Sequence, residues 1–308
     1  MPTAYSYFQG EFVPLEDAKI SVMTHALHYG TGVFEGIRAN WNPEQNAASL
    51  FRLPEHYERF LQGSNFLRMQ LPYSVNDLIE LTKTLVAKCG YQEDSYVRPL
   101  AYKSAERIGV LKLQDVEDDL VIFMIPFGAY LDVTAAARCC TSSWRRTDDT
   151  MIPPRVKNTG LYISSNLAKT DATLNGFDEA IMLTSEGHVS EGTGENIFLY
   201  QKGQLVTPST SGNILEGITR NTIIQLAKDE LGIETIERTV NRSELYMSDE
   251  CFLTGTAAHL TPVGEIDNFK VGNGEMGTVT KKLQDLYFDA IRGLNPRYSH
   301  WCTLVPIA

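Results

Sequence analysis

Lys157 lies in Pro153-Pro-Arg-Val-Lys-Asn-Thr-Gly160, where two prolines stiffen the approach and Asn158-Thr-Gly160 leads into a helical pattern from Leu161. A lysine carried on such rigid supports presents its amine to one fixed point, and an amine can hold an aldehyde as a Schiff base. Most lysines are solvated surface charges; Lys169 and Lys103 sit in contexts without this junction. Glu191, in Ser190-Glu-Gly-Thr-Gly-Glu-Asn196, stands between Val189 and a glycine-rich bend. A buried carboxylate there can keep a pyridine nitrogen protonated, so that the ring accepts the electrons of a carbanion. Glu195 has an equal claim on composition, and the adjacent strand end, which aims its side chain inward, favours Glu191. Gly217-Ile-Thr-Arg220 opens a helix whose first turn, through Ile218 and Thr219, offers backbone N–H groups and one hydroxyl to a phosphate. An aldehyde, a pyridine nitrogen and a phosphate together describe pyridoxal 5'-phosphate (PLP).

Other segments add to this set. Gly255-Thr-Ala-Ala258, directly after an apolar run, supplies the Thr256 hydroxyl and further backbone donors. Arg59, on a helix expected over Pro54 to Met69, can reach a phosphate, although helix arginines are more often surface residues. His25 and His28 are three residues apart with no partner carboxylate motif, which favours packing over a metal site. Gly30-Thr-Gly-Val-Phe-Glu-Gly36 lacks the lysine of a phosphate-binding P-loop.

The elements that must position these groups read as follows. Ala4 to Gln9 and Glu11 to Val13 flank Gly10, a hairpin signal. Two helices follow, Pro54 to Met69 and Leu78 to Cys89, the second capped by Ser74 with Asp77 and stopped by Gly90. Strands are expected at Ser95 to Tyr102 and Leu120 to Ile125. Pro126 to Asp132 breaks the pattern, which divides the chain into a small N-terminal α/β domain over 1–125, a linker loop over 126–137 and a large cofactor-binding domain over 138–308. The second part mixes strands (Arg138 to Ser142, Ala180 to Thr184, Asn196 to Tyr200, Gln204 to Thr207, Cys251 to Thr254, Leu260 to Ile266) with helices at Leu161 to Leu174, Gly217 to Leu231 and Gly277 to Leu294. Strict alternation is absent, so the class is α+β and not a Rossmann sheet.

Composition narrows the partners. With 308 residues, two domains are the prior. A net charge of -11 argues against nucleic acid or anionic membrane as a main partner, and a small anionic substrate then needs a local cationic site. The five cysteines show no CxxC pair or metal-like spacing, as in buried thiols of a reducing cytosol. The first residues lack the basic and apolar regions of a signal peptide, and no apolar stretch approaches membrane-spanning length. A cytoplasmic protein with no metal is expected.

Taken together the segments resemble the class IV aminotransferases, fold-type IV PLP enzymes with a D-amino acid aminotransferase-like two-domain fold. Within them the chain looks like a branched-chain amino acid aminotransferase. His25-Ala-Leu-His-Tyr-Gly-Thr-Gly-Val-Phe-Glu-Gly-Ile-Arg38 matches that family's N-terminal block, Tyr96-Val-Arg98 its substrate-side segment and Gly128-Ala-Tyr130 its interdomain loop. Ser190 to Asn196, Leu215 to Arg220 and Gly255-Thr-Ala-Ala-His-Leu-Thr-Pro262 complete the set. The resemblance implies that Lys157 forms the Schiff base and shuttles the proton, Tyr162 bonds the cofactor O3', Glu191 pairs with the pyridine nitrogen, and Arg59, Ile218, Thr219 and Thr256 hold the phosphate. It further implies a substrate pocket of Tyr29, Phe34, Gly36, Tyr96, Arg98, Tyr130, Thr256 and Ala257, in a homodimer or larger homo-oligomer whose partner subunit can supply some of these groups.

The implied reaction is transamination of L-leucine, L-isoleucine and L-valine with 2-oxoglutarate. Phe127 and His259 depart from the family's usual tryptophan and glutamate without removing a catalytic group. Alternatives on the same scaffold are a D-amino acid or (R)-amine transaminase, an aminodeoxychorismate lyase, or a non-catalytic PLP-binding relative; Arg98 and the Tyr29 to Arg38 block favour the branched-chain reading.

Overall fold

A computed structural model describes residues 4–128 and 130–307. Ala129, in the expected linker, lies outside the described residues. The chain packs into two compact units, one comprising residues up to Gly128, Val156–Gly160 and those from Asp289 onward, the other the stretch that runs to Arg155 with Leu161–Phe288. The units therefore interleave along the sequence, in contrast to the sequential division that the linker signal predicts. Two distant segments join the first unit through backbone pairing. Cys302–Pro306 runs antiparallel to Ala47–Phe51, and Asn158 bridges to Val33.

The first unit is built on an eight-stranded antiparallel sheet. Its long central strands, Ser95–Lys103 and Asp118–Pro126, pair over their full length. The Tyr5–Phe8 and Glu11–Pro14 hairpin turns at Gly10, whose φ of 85° suits glycine. Helices Leu53–Phe66 and Val75–Cys89 are amphipathic and bury Leu53, Tyr57, Phe60, Leu78 and Leu85 in one core with Ile37, Leu50, Val97 and Ile122. The Ser74–Asp77 capping box opens the second helix. Three short strands carry no sequence signal: Gly32–Phe34, Ile37–Asn42 and Ala47–Phe51. They are buried throughout or nearly so and lack the alternation of a half-exposed strand.

The second unit holds a nine-stranded mixed sheet. Ala137–Arg145 lies parallel to both Glu179–Leu183 and His259–Ile266, and Gln204–Pro208 is parallel to Thr235–Arg238. Helices Tyr162–Leu174 and Ile218–Leu231 stand where periodicity places them, and Gly232 ends the latter in the left-handed conformation. The whole is an α+β fold, as the sequence implies.

Candidate active site

Lys157 stands on the short segment that the first unit takes from mid-chain. Its carbonyl accepts from Phe34 N at 3.0 Å, and the next residue, Asn158, donates through Nδ2 to Gly30 O and Gly32 O, both at 3.0 Å. The Lys157 backbone is thereby sewn to the edge of the Gly32–Phe34 strand, which fixes where its amine emerges. Nζ lies 4.9 Å from the centroid of the buried Phe34 ring. The Arg98 guanidinium sits 4.4 Å from that same ring and 5.2 Å from the Tyr96 ring. Arg98 Nη2 donates to Tyr96 Oη at 3.2 Å, whereas its Nε is buried with no hydrogen-bond partner among the described residues. A buried guanidinium donor without a partner suits a group that receives a carboxylate ligand. Gly36 acts by omission: a Cβ there would fall on the Tyr96 hydroxyl.

Two further groups of the first unit have no counterpart in the sequence reading. Glu35, fully buried in the turn between Phe34 and Ile37, takes Arg59 side-on, with Nε to Oε1 at 2.7 Å and Nη2 to Oε2 at 2.9 Å. His56 Nδ1 adds a 2.8 Å hydrogen bond to Oε2. Burial pushes the Glu35 carboxyl up, but Arg59 and His56 outweigh it and hold the group well below the usual carboxylate range. His56 is itself pushed down, chiefly by burial. Arg38, also buried, grips the start of the interdomain loop with 2.6 Å and 2.8 Å bonds to the carbonyls of Phe127 and Gly128, its guanidinium 4.9 Å from the Phe127 ring. Tyr29 lies on a short helix, against the His25 ring at 4.6 Å, with its hydroxyl accepting from Gly109 N at 2.7 Å. His25 and His28 spend ring nitrogens on Thr31, Gly109 O and Val22 O, which are packing roles.

In the second unit Glu191 ends the Val189–Glu191 strand and is buried. Oε1 meets Arg146 Nη2 at 2.6 Å, while Oε2 accepts from Asn196 Nδ2 at 3.0 Å and Leu215 N at 3.1 Å. Arg146 reaches on to Ser165 Oγ at 3.4 Å, on the helix that Tyr162 begins. Asn196 also donates to Leu215 O at 2.9 Å, so it ties the Glu191 carboxylate to the chain entering the Ile218–Leu231 helix. Gly217, the N-cap, is pressed so closely on Asn196 Oδ1 that a side chain there would collide with it. Ile218 and Thr219 follow, buried in the first turn, where the N–H groups have no intrahelical acceptor. Thr256 and Ala257 occupy the turn between strands Glu250–Gly255 and His259–Ile266.

Glu195 differs from Glu191 in its surroundings. It is buried, accepts from Gly194 N at 3.1 Å, and is pushed up to about 8 by burial first and then by Glu179. Glu179 is held by Lys169 Nζ at 2.7 Å and Thr193 Oγ1 at 2.7 Å. Tyr130 lies half-exposed, its ring 5.0 Å from Lys169 Nζ. Lys169 thus serves a buried carboxylate, and Lys103 pairs with Asp118 at 2.6 Å. Arg146 carries no sequence signal, because its role depends on a parallel strand pairing that no local pattern announces.

The fold is that of the class IV aminotransferases. Residues 32–266 match the family model described as Amino-transferase class IV, and the chain belongs to that family. It is 51% identical over 301 residues to a probable branched-chain-amino-acid aminotransferase of Aquifex aeolicus, covering 98% of this chain and 96% of that one. The branched-chain aminotransferase from Thermoproteus uzoniensis, solved with norvaline, superposes with a TM-score of 0.94 at 41% identity and covers 98% of this chain and 99% of its own. The branched-chain amino acid aminotransferase from Thermobaculum terrenum, solved in its PLP-form, gives a TM-score of 0.93 at 36% identity and covers 99% of each chain.

Proposed function

We propose that the chain transfers the amino group of L-leucine, L-isoleucine and L-valine to 2-oxoglutarate with PLP as cofactor. One observation carries this reading: the Lys157 amine and the Arg98 guanidinium lie 4.9 Å and 4.4 Å from a single buried Phe34 ring. An amine that works at an α-carbon, a cation for a carboxylate and an apolar wall are what an enzyme needs to take leucine and glutamate in turn. The similarity to branched-chain aminotransferases over nearly the whole chain supports the same substrates.

The donor sets fit the cofactor. In the first unit, Lys157 would take the aldehyde and Arg59 the phosphate. In the second, Glu191 would take the pyridine nitrogen, Tyr162 the O3' and Ile218, Thr219 and Thr256 the phosphate. The pairing with Arg146 at 2.6 Å supports Glu191 over Glu195 as the carboxylate, since it fixes the Glu191 side chain in place. Bound PLP supplies the aldehyde that receives the amino group and the ring that accepts the α-carbon electron pair. The Lys157 amine would remove the substrate's α-proton and serve as the acid that gives a proton back. Phe34 excludes water beside that amine, and Tyr96 holds Arg98 for the side-chain carboxylate of glutamate. Tyr29, Gly36, Tyr130 and Ala257 are further expected substrate contacts, with a second copy of the chain as the expected oligomeric partner and the cytoplasm as the expected location. No helix among the described residues is long and apolar enough to cross a membrane.

The test is a visible-absorbance titration of the PLP-loaded protein. L-leucine should convert the cofactor to its amine form and 2-oxoglutarate should restore it. Conversion only by D-alanine or (R)-1-phenylethylamine would move the activity to a sister reaction. Full turnover by Lys157→Ala would remove Lys157 from its role.

A further inference from the structure

We infer that Glu35, backed by His56, is a positioning residue that aims the Arg59 guanidinium at the cofactor's phosphate. The inference rests on the reading of Arg59 as a phosphate ligand and adds what makes that ligand directional.

A guanidinium has two edges that match an oxyanion, one formed by Nε with an Nη and one by the two Nη groups. Glu35 takes the first edge with bonds of 2.7 Å and 2.9 Å. The second edge then points away from Glu35 along a fixed line. An arginine side chain loses much rotamer freedom when it must order itself on a ligand, and a bond formed beforehand removes that loss from binding. The Arg59 side chain is only 16% exposed, and that of Glu35 not at all.

Glu35 is itself fully held. It accepts from His56 Nδ1 at 2.8 Å and from Gly36 N at 3.2 Å besides the two arginine bonds. His56 and Arg59 are one turn apart on the Leu53–Phe66 helix, so both donors arrive on one rigid element. The helix in turn is anchored by Leu53, Tyr57 and Phe60, each wholly buried. Phe34, immediately before Glu35, donates its N–H to Lys157 O at 3.0 Å. One two-residue stretch thus ties down both the lysine that takes the aldehyde and the arginine that takes the phosphate.

Charge alone would argue the reverse role. Glu35 cancels the Arg59 charge, so if net charge governed phosphate affinity, removing Glu35 would strengthen binding. If direction governs, removal weakens it. The two accounts differ in sign.

The experiment compares PLP with pyridoxal, which lacks the phosphate, binding to apoenzyme, each followed by cofactor absorbance and by protein fluorescence. Glu35→Gln should weaken PLP about tenfold or more while pyridoxal stays within about twofold, and should shift the 31P resonance of bound PLP. His56→Leu should move the PLP-to-pyridoxal ratio the same way, and His56→Asn, whose amide Nδ2 can replace Nδ1, should restore it. These two variants carry the test if Glu35→Gln does not fold. Tighter PLP binding by Glu35→Gln, or equal losses for PLP and pyridoxal, would overturn the inference. Arg59→Met separates the two readings. A collapsed ratio in that variant with an unchanged one in Glu35→Gln would sink the role of Glu35 and leave that of Arg59 standing. An unchanged ratio in Arg59→Met would remove both.

Discussion

The Tyr96 hydroxyl fills the space that a side chain at Gly36 would need. A Cβ built on Gly36 would fall on that oxygen, and the same oxygen accepts from Arg98 Nη2 at 3.2 Å. The glycine is therefore part of the geometry that places Arg98, although it offers no group of its own.

Gly36→Ala should push Tyr96 off Arg98 and overpack a buried strand end, at a cost of about 1–3 kcal/mol. The expected result is at least about a tenfold fall in kcat/KM for both L-leucine and L-glutamate, since either substrate meets the same wall. Steady-state kinetics alongside thermal unfolding would check it, and a variant with full kcat/KM would disprove the coupling.

Arg146 and Glu191 form a buried ion pair with side chains 3% and 6% exposed. Arg146→Met leaves a carboxylate without its cation and should destabilise the protein by about 3–5 kcal/mol. Adding Glu191→Gln should recover most of that loss in urea unfolding, as a double-mutant cycle on a contacting pair. Simple additivity of the two changes would show that the pair is not coupled.

Glu195 makes stability depend on pH. Its folded-state value lies near 8, above the ordinary 4.5, through burial first and Glu179 second, with Lys169 and the Gly194 N–H opposing and Glu191 adding to the rise. The folded chain holds this proton more tightly than the unfolded one. Its contribution is therefore complete below about pH 4.5, falls as pH rises and is gone above about 8. Glu195→Gln should flatten the decline in unfolding free energy across that window. Parallel curves for the two proteins would refute the assignment.

Arg38 holds the carbonyls of Phe127 and Gly128 at the mouth of the interdomain loop. Arg38→Met should free that stretch and raise the rate of limited proteolysis after Phe127 several-fold, with little change at other sites. Equal cleavage rates in mutant and parent would show that the loop is held elsewhere.

What can be read from the sequence is local. The Ser74–Asp77 cap, the stops at Gly90 and Gly232 and the hairpin at Gly10 each depend on residues a few positions apart, and the structure has all four. Lys157, Phe34, Tyr96 and Arg98 fall into one group through the resemblance, and the first unit brings their side chains together. Arg146 and His56 have no such signal, because each works through a carboxylate far away in sequence. The buried strands from Gly32 to Phe51 are silent because a strand covered on both faces has no alternating pattern. Glu35 lies inside a glycine-rich run, and nothing in that run announces a buried anion.

The antiparallel pairing of Cys302–Pro306 with Ala47–Phe51 has a consequence for biosynthesis. The ribosome makes every strand of the second sheet before it makes the strand that edges the first. N-terminal domains ordinarily fold as they emerge, but this amino-terminal sheet must wait with one edge open while more than half the chain is still being translated. Until then Ala47–Phe51 exposes an unpaired and largely apolar edge of the kind on which nascent chains aggregate. Chaperone demand during synthesis should therefore concentrate on the half of the protein that is made first.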